Sequence, residues 1–70
     1  MKIQLQPRME NTYDVFQDGK LIGGASKIID PRRSEYGRYI AYWVCGGRYA
    51  GYPPQQFADT PKAAAELLNK

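Results

Sequence analysis

The residue pattern predicts a small α+β domain, an antiparallel sheet of four to five strands arranged as a meander of hairpins, with one C-terminal α-helix packed on one face. Three observations predict it. Runs rich in β-branched and aromatic residues recur along most of the chain. The pairs Asp18-Gly19 and Gly46-Gly47 separate such runs as hairpin turns do. A stretch with helix-start signals follows only at Thr60-Pro61.

The elements follow in order. Residues 2–6 alternate polar and apolar side chains, with Ile3 and Leu5 on one face, as a half-buried strand does, and Pro7 is expected to close it. Residues 8–11 read as a connection. Thr12 to Gln17 is rich in strand formers and is joined by Asp18-Gly19 to Lys20-Leu21-Ile22. An Asp-Gly pair suits a type I′ turn because both central positions need positive φ. The second arm continues through Gly23-Gly24 to Ile29. Two glycines within a strand imply a bend over the core or, on a functional reading, a smooth spot admitting a ligand's backbone.

Asp30 to Gly37 is a polar loop carrying Arg32 and Arg33. The run Arg38 to Cys45 is the strongest strand in the chain and is expected to be central, because bulky residues occupy both of its faces. One alternating set, either Tyr39, Ala41, Trp43 and Cys45 or Arg38, Ile40, Tyr42 and Val44, must be core, and Trp43 is assigned to it. Gly46-Gly47 turns the chain into Arg48 to Tyr52, which Pro53-Pro54 ends. Residues 55–59 cross to the helix, with Phe57 expected to seal its upstream end. Thr60 can cap that helix, Pro61 suits its first position, and Asp59 sets a negative charge at its positive end. A helix of roughly nine residues does not persist alone in water and must lie on the sheet.

Composition limits the chemistry. With 70 residues the chain makes one domain and buries only about 60% of its unfolded surface. Its 43% hydrophobic and 13% aromatic content is enough to form a core. Cys45 is the only cysteine and histidine is absent, so an intrachain disulfide is impossible and a zinc site lacks ligands. Cys45, within an apolar run, reads as a buried small hydrophobe, with a crossed Cys45–Cys45 dimer as the alternative. No signal-peptide or membrane-spanning run is evident, and one unpaired cysteine suits a reducing cytoplasm. No nucleophile has a histidine base, and no glycine pair precedes a helix as a phosphate cradle would. The acidic residues mostly sit at turns and helix ends rather than in convergent pairs. These features argue against an enzyme, and no cofactor is called for.

What stands out is distribution. The net charge is +3, yet residues 20–52 alone carry Lys20, Lys27, Arg32, Arg33, Arg38 and Arg48 against only Asp30 and Glu35, together with five of the six tyrosines. Arginine and lysine neutralise phosphates, while tyrosine stacks on bases. The expectation is therefore a nucleic-acid-binding module, with DNA as the expected target, a regulatory or accessory role and a basic, aromatic sheet face. Its candidate contacts are Lys27, Arg32, Arg33, Arg38 and Arg48, with Tyr36, Tyr39, Tyr42, Tyr49 and Tyr52. An antiparallel sheet backed by one C-terminal helix resembles in architecture the plant Apetala-type domains and the N-terminal arm-binding domains of phage-type integrases. The run Phe57…Thr60…Ala64 is loosely similar to theirs, with different spacing. That resemblance implies a sheet laid in the major groove. The runner-up reading is a small inhibitor or adaptor of the phage or mobile-element type that docks on a host protein complex, since exposed tyrosine, tryptophan and arginine are hot-spot residues. An open sheet edge also permits a homodimer.

Overall fold

The computed structural model describes residues 2–69. The strands are β1 (Ile3–Met9), β2 (Thr12–Gln17), β3 (Lys20–Lys27), β4 (Tyr39–Cys45), β5 (Arg48–Gly51) and β6 (Phe57–Ala58), followed by helix α1 (Pro61–Glu66). The antiparallel sheet runs in the order β1-β2-β3-β4-β5, and the two-residue β6 adds to β4. This is the α+β meander that the residue pattern predicts, with β4 inside the sheet.

Both predicted hairpins form, and the backbone shows why these residues make them. Asp18 and Gly19 have φ of 52° and 83°, and Gly46 and Gly47 have φ of 61° and 79°. Positive φ at both central residues is the type I′ signature, whose twist matches that of the flanking strands.

Three departures from expectation have physical causes. First, β1 continues through Pro7 to Met9. It is an edge strand, where a missing N–H costs the ladder nothing, and the register slips between Pro7 and Met9 immediately afterwards. Second, the segment before the helix contributes β6, in which Phe57 pairs with Ile40 and Ala58 with Tyr39. Third, the helix is shorter than expected and ends at Glu66, with Leu67 as its cap. At its start Thr60 is extended, and its hydroxyl accepts the Ala63 N–H at 3.1 Å. The first turn, Pro61-Lys62-Ala63, holds no acidic side chain, and Asp59, just before the cap, pairs with Arg38 at 3.2 Å.

The core lies between α1 and one face of the sheet. Val15, Ala25, Ala41, Ala64, Ala65 and Leu68 are buried, with Ile3, Leu5, Ile22, Tyr39, Trp43, Ala58 and Leu67 packed around them. Strand alternation and the register place Ile3, Leu5, Val15, Gly23, Ala25, Tyr39, Ala41 and Trp43 on this covered face. Trp43 thus takes the core side, half-buried, with its indole N–H directed to the Leu68 carbonyl at 3.5 Å.

The Gly23-Gly24 pair is filled by the protein itself, so the ligand-backbone reading fails. A Cβ at Gly23 would stand 2.7 Å from Leu68 Cδ1 and would overlap the Tyr42 carbonyl oxygen. A Cβ at Gly24, on the opposite face, would stand 2.8 Å from Cε2 of the Tyr42 ring. The strand does bulge beside this pair: the register shifts opposite Val15 and Phe16, leaving Ile22 as the extra residue.

Candidate functional site

No described strand or helix packs on the face of the sheet away from α1, though at its Ile28–Arg38 end Ile28 is only 7% exposed. Alternation puts Gln4, Gln6, Thr12, Asp14, Phe16, Leu21, Gly24, Ser26, Ile40, Tyr42, Val44, Tyr49 and Phe57 on it. The register aligns them in pairs: Phe16 with Leu21, Gly24 with Tyr42, Ile40 with Phe57, and Val44 with Tyr49. The Tyr42 ring lies down over Gly24, and the Tyr49 and Tyr52 rings meet edge to face with centroids 5.2 Å apart. The result is a band of rings and aliphatic side chains over β4, β5 and β6, with Phe16 and Leu21 apart from it on the β2–β3 hairpin. Phe57 belongs to this band. It does not seal the helix, because β6 pairs in a register that turns Ala58 to the core and Phe57 to the opposite side.

Of the expected cations, Arg38 adjoins the band, where it lines a hollow with Phe57. Lys27 pairs with Tyr39 on the covered side, at the end of β3, and is exposed. Arg48 pairs with Cys45, again on the covered side but past the reach of the helix. Arg32 is bound to Asp30, with Nε on Oδ1 at 3.1 Å and Nη2 on Oδ2 at 3.2 Å. Arg33 bonds Glu35 at 3.1 Å and Arg38 bonds Asp59 at 3.2 Å. The half-buried Asp14 also lies on this face, with the Arg8 guanidinium 3.9 Å away. The expected face is therefore aromatic but not basic. Its β4 positions are Ile40, Tyr42 and Val44, and three of the four candidate arginines, including Arg38 at its margin, are bound to carboxylates.

The tyrosines divide as well. Tyr42 and Tyr49 lie on the open face, with Tyr52 against Tyr49 at its margin. Tyr39 is on the covered side, its ring centroid 6.4 Å from that of Tyr13, and Tyr36 is exposed in the loop before β4. Sequence reasoning missed Phe16, Leu21, Ile40, Val44 and Phe57. The signal was available for β4, where Ile40 and Val44 alternate with Ala41 and Trp43, but only the small size of Gly23, Ala25 and Ala41 on the facing set marks which set the helix covers.

The loop of residues 30–37 is organised by its own charges. Asp30 accepts the Arg32 side chain and also the Arg32 backbone N–H at 3.0 Å, and these bonds hold its carboxyl below its ordinary value. Glu35 is lowered as well, chiefly by the Ser34 hydroxyl at 2.6 Å and then by Arg33. Loss of hydration, followed by the neighbouring Tyr52 hydroxyl, raises Tyr49. Cys45 is exposed rather than buried, a correction to the sequence reading. It is the last residue of β4, and α1 does not extend over that end of the sheet. Among the described residues, no three acidic or cysteine side chains gather as metal ligands do, and no buried side-chain nitrogen or oxygen lacks a hydrogen bond. No described helix is long and apolar enough to cross a membrane.

Comparison with protein-family models, with curated proteins and with solved structures finds no match to this chain.

Proposed function

We propose that this chain is a non-catalytic docking module whose open sheet face binds a partner protein. One observation carries the reading: the face opposite α1 carries an apolar and aromatic band over β4, β5 and β6, and Arg38, the expected cation lining a hollow beside it, is bound to Asp59. Contiguous apolar surface on a small domain marks an interaction site, and tyrosine is among the residues that dominate interface energetics. An inhibitor or adaptor acting in a reducing cytoplasm fits this surface, and the exposed Cys45 thiol is consistent with that compartment.

A second reading has its own observation. Arg48 makes no ion pair among the described residues and adjoins the exposed Tyr49–Tyr52 ring pair. A cation beside exposed aromatic rings is the combination that holds single-stranded nucleic acid. That reading confines binding to the β5 edge, not to the whole face.

One experiment separates the two. A photoreactive phenylalanine analogue placed at Tyr42 or Ile40 should form adducts with a discrete protein in cells expressing the chain, whereas the same analogue at Lys62 on the helix should not. Adducts of equal yield from all three positions would overturn the docking reading. Fluorescence polarisation with single-stranded and duplex DNA supplies the other arm. Binding that weakens steeply between about 50 and 200 mM salt, and that Arg48→Ala abolishes, would replace the lead reading with the second.

A further inference from the structure

At the turn end of the molecule the sheet divides. The β3–β4 pairing stops at Gly23 and Trp43, so Lys20-Leu21-Ile22 stays with β2 while Val44-Cys45 stays with β5. Each arm carries a bulge at this level, Ile22 in β3 and Ala50 in β5. Such irregularities recur beside functional sites, where they redirect strands. The fork opens onto a groove of about 490 Å³, within the roughly 300–1,000 Å³ range of ligand pockets. Ile22, Trp43, Ala50 and Leu68 line it, with Leu21 and Val44 on the two arms.

We infer that this fork is a binding site for an extended, acidic segment of a partner protein, with an apolar side chain seated in the groove. Backbone geometry supports an extended occupant. In a two-residue hairpin the residues flanking the turn, Gln17 with Lys20 and Cys45 with Arg48, exchange hydrogen bonds. The next pairs, Phe16 with Leu21 and Val44 with Tyr49, are then the non-bonded kind. Leu21 and Val44 therefore direct their N–H and C=O groups out of their own hairpins and into the fork. An extended chain satisfies such groups in the way that strand addition does at a sheet edge.

Charge argues for an acidic occupant. Lys20 lines the groove, Arg48 stands beside it as the register partner of Cys45, and no carboxylate contributes to the lining. Neither cation makes an ion pair among the described residues. The nearby Asp18 carboxylate accepts the Lys2 backbone N–H at 3.1 Å, on the β1 side of the turn. This inference rests on the docking reading and names the chemistry of the partner.

Trp43 is the only tryptophan and lines the groove, so its fluorescence reports occupancy directly. The intact protein is titrated with a nine-residue peptide of alternating leucine and glutamate, with the same peptide carrying lysine for glutamate, and with one carrying serine for leucine. Saturable change with the leucine–glutamate peptide alone is expected. The joint change Lys20→Glu with Arg48→Glu should weaken that peptide at least about fivefold and favour the lysine form. Both positions are exposed, and an unchanged thermal transition confirms that the variant is folded. A leucine–glutamate peptide methylated on its backbone nitrogens should lose binding.

Three results would overturn the inference: no saturable response to any peptide, equal response to the lysine form, or undiminished binding of the methylated peptide. Dodecanoate binding in place of the peptide would also do so, by assigning the groove to an amphipathic anion. Photo-crosslinking from Tyr42 does not depend on the fork. A failed titration with surviving crosslinks removes only the fork, whereas loss of site-selective crosslinks removes the docking reading itself.

Discussion

The two faces of this sheet divide side-chain volume in opposite ways. Under α1 the strand centres are Val15, Gly23, Ala25 and Ala41, and the helix meets them with Ala64, Ala65 and Leu68. On the other side, the same strands carry Phe16, Ile40, Tyr42 and Val44, joined by Tyr49 and Phe57. Small residues let a short helix sit close to the backbone, where it excludes water most completely over a limited area. The bulk placed on the uncovered side contributes little to that core. Beneath the helix, small residues at the strand centres make the room, with the rings of Tyr39 and Trp43 packed at their margin.

Mutations can break that division, beginning with the largest effect. Leu68 is only 2% exposed and fills the space over Gly23, so Leu68→Ala should cost about 3 kcal/mol. For a domain whose whole stability is on the order of 3–5 kcal/mol, this brings the chain close to unfolding in urea titrations. Gly23→Ala is expected to cost about 2 kcal/mol, since its Cβ meets a backbone carbonyl and Leu68 Cδ1, neither of which moves freely. Thr60→Ala removes the bond to the Ala63 N–H and should cost about 1 kcal/mol, seen as a lower thermal midpoint.

The open face should respond much less. Gly24→Ala meets only the far end of the Tyr42 side chain, which can swing outward, and Tyr42→Thr leaves the core untouched. Each should change stability by less than about 1 kcal/mol while altering partner capture. Equal losses for Gly23→Ala and Gly24→Ala would refute the division between the faces.

The smallest effect concerns pH. Asp30 and Glu35 have folded values depressed below their ordinary 3.8 and 4.5. Their contribution is therefore present in full above those ordinary values and is lost as pH falls through the lower folded ones. Both groups are exposed in a loop, so the expected change below about pH 4.5 is local. Amide and guanidinium resonances of Arg32 and Arg33 should shift there while those of Val15 and Ala41 hold still. Concerted movement of all four would place this loop within the core's cooperative unit.

Much of the fold was legible in the residues because its signals are local. Asp18-Gly19 and Gly46-Gly47 specify turns by their own φ preferences, and Thr60-Pro61 specifies a helix start. The site was less legible because it depends on pairing across the chain. Which set of β4 faces the helix follows from what lies opposite, namely Gly23 and Ala25, and the position of Phe57 follows from β6 joining β4. The charges divide in the same way. Asp30 with Arg32, and Arg33 with Glu35, are two residues apart, so their mutual neutralisation could be read from spacing; counting the arginines as free overstated the basic surface. The Arg38–Asp59 pair spans the fold and carried no local sign.

The meander has a consequence for how the chain comes together. Along the path from β1 to β5 every strand bonds to its immediate neighbour in sequence, and the segment that shields Val15, Ala25 and Ala41 follows all of them. During vectorial synthesis the hairpins can therefore zip in turn at small entropic cost, while their shared apolar underside stays wet until Leu68 has been made. For that interval the nascent sheet exposes apolar surface on both sides, one side awaiting its own helix and the other keeping its bare band in the finished molecule.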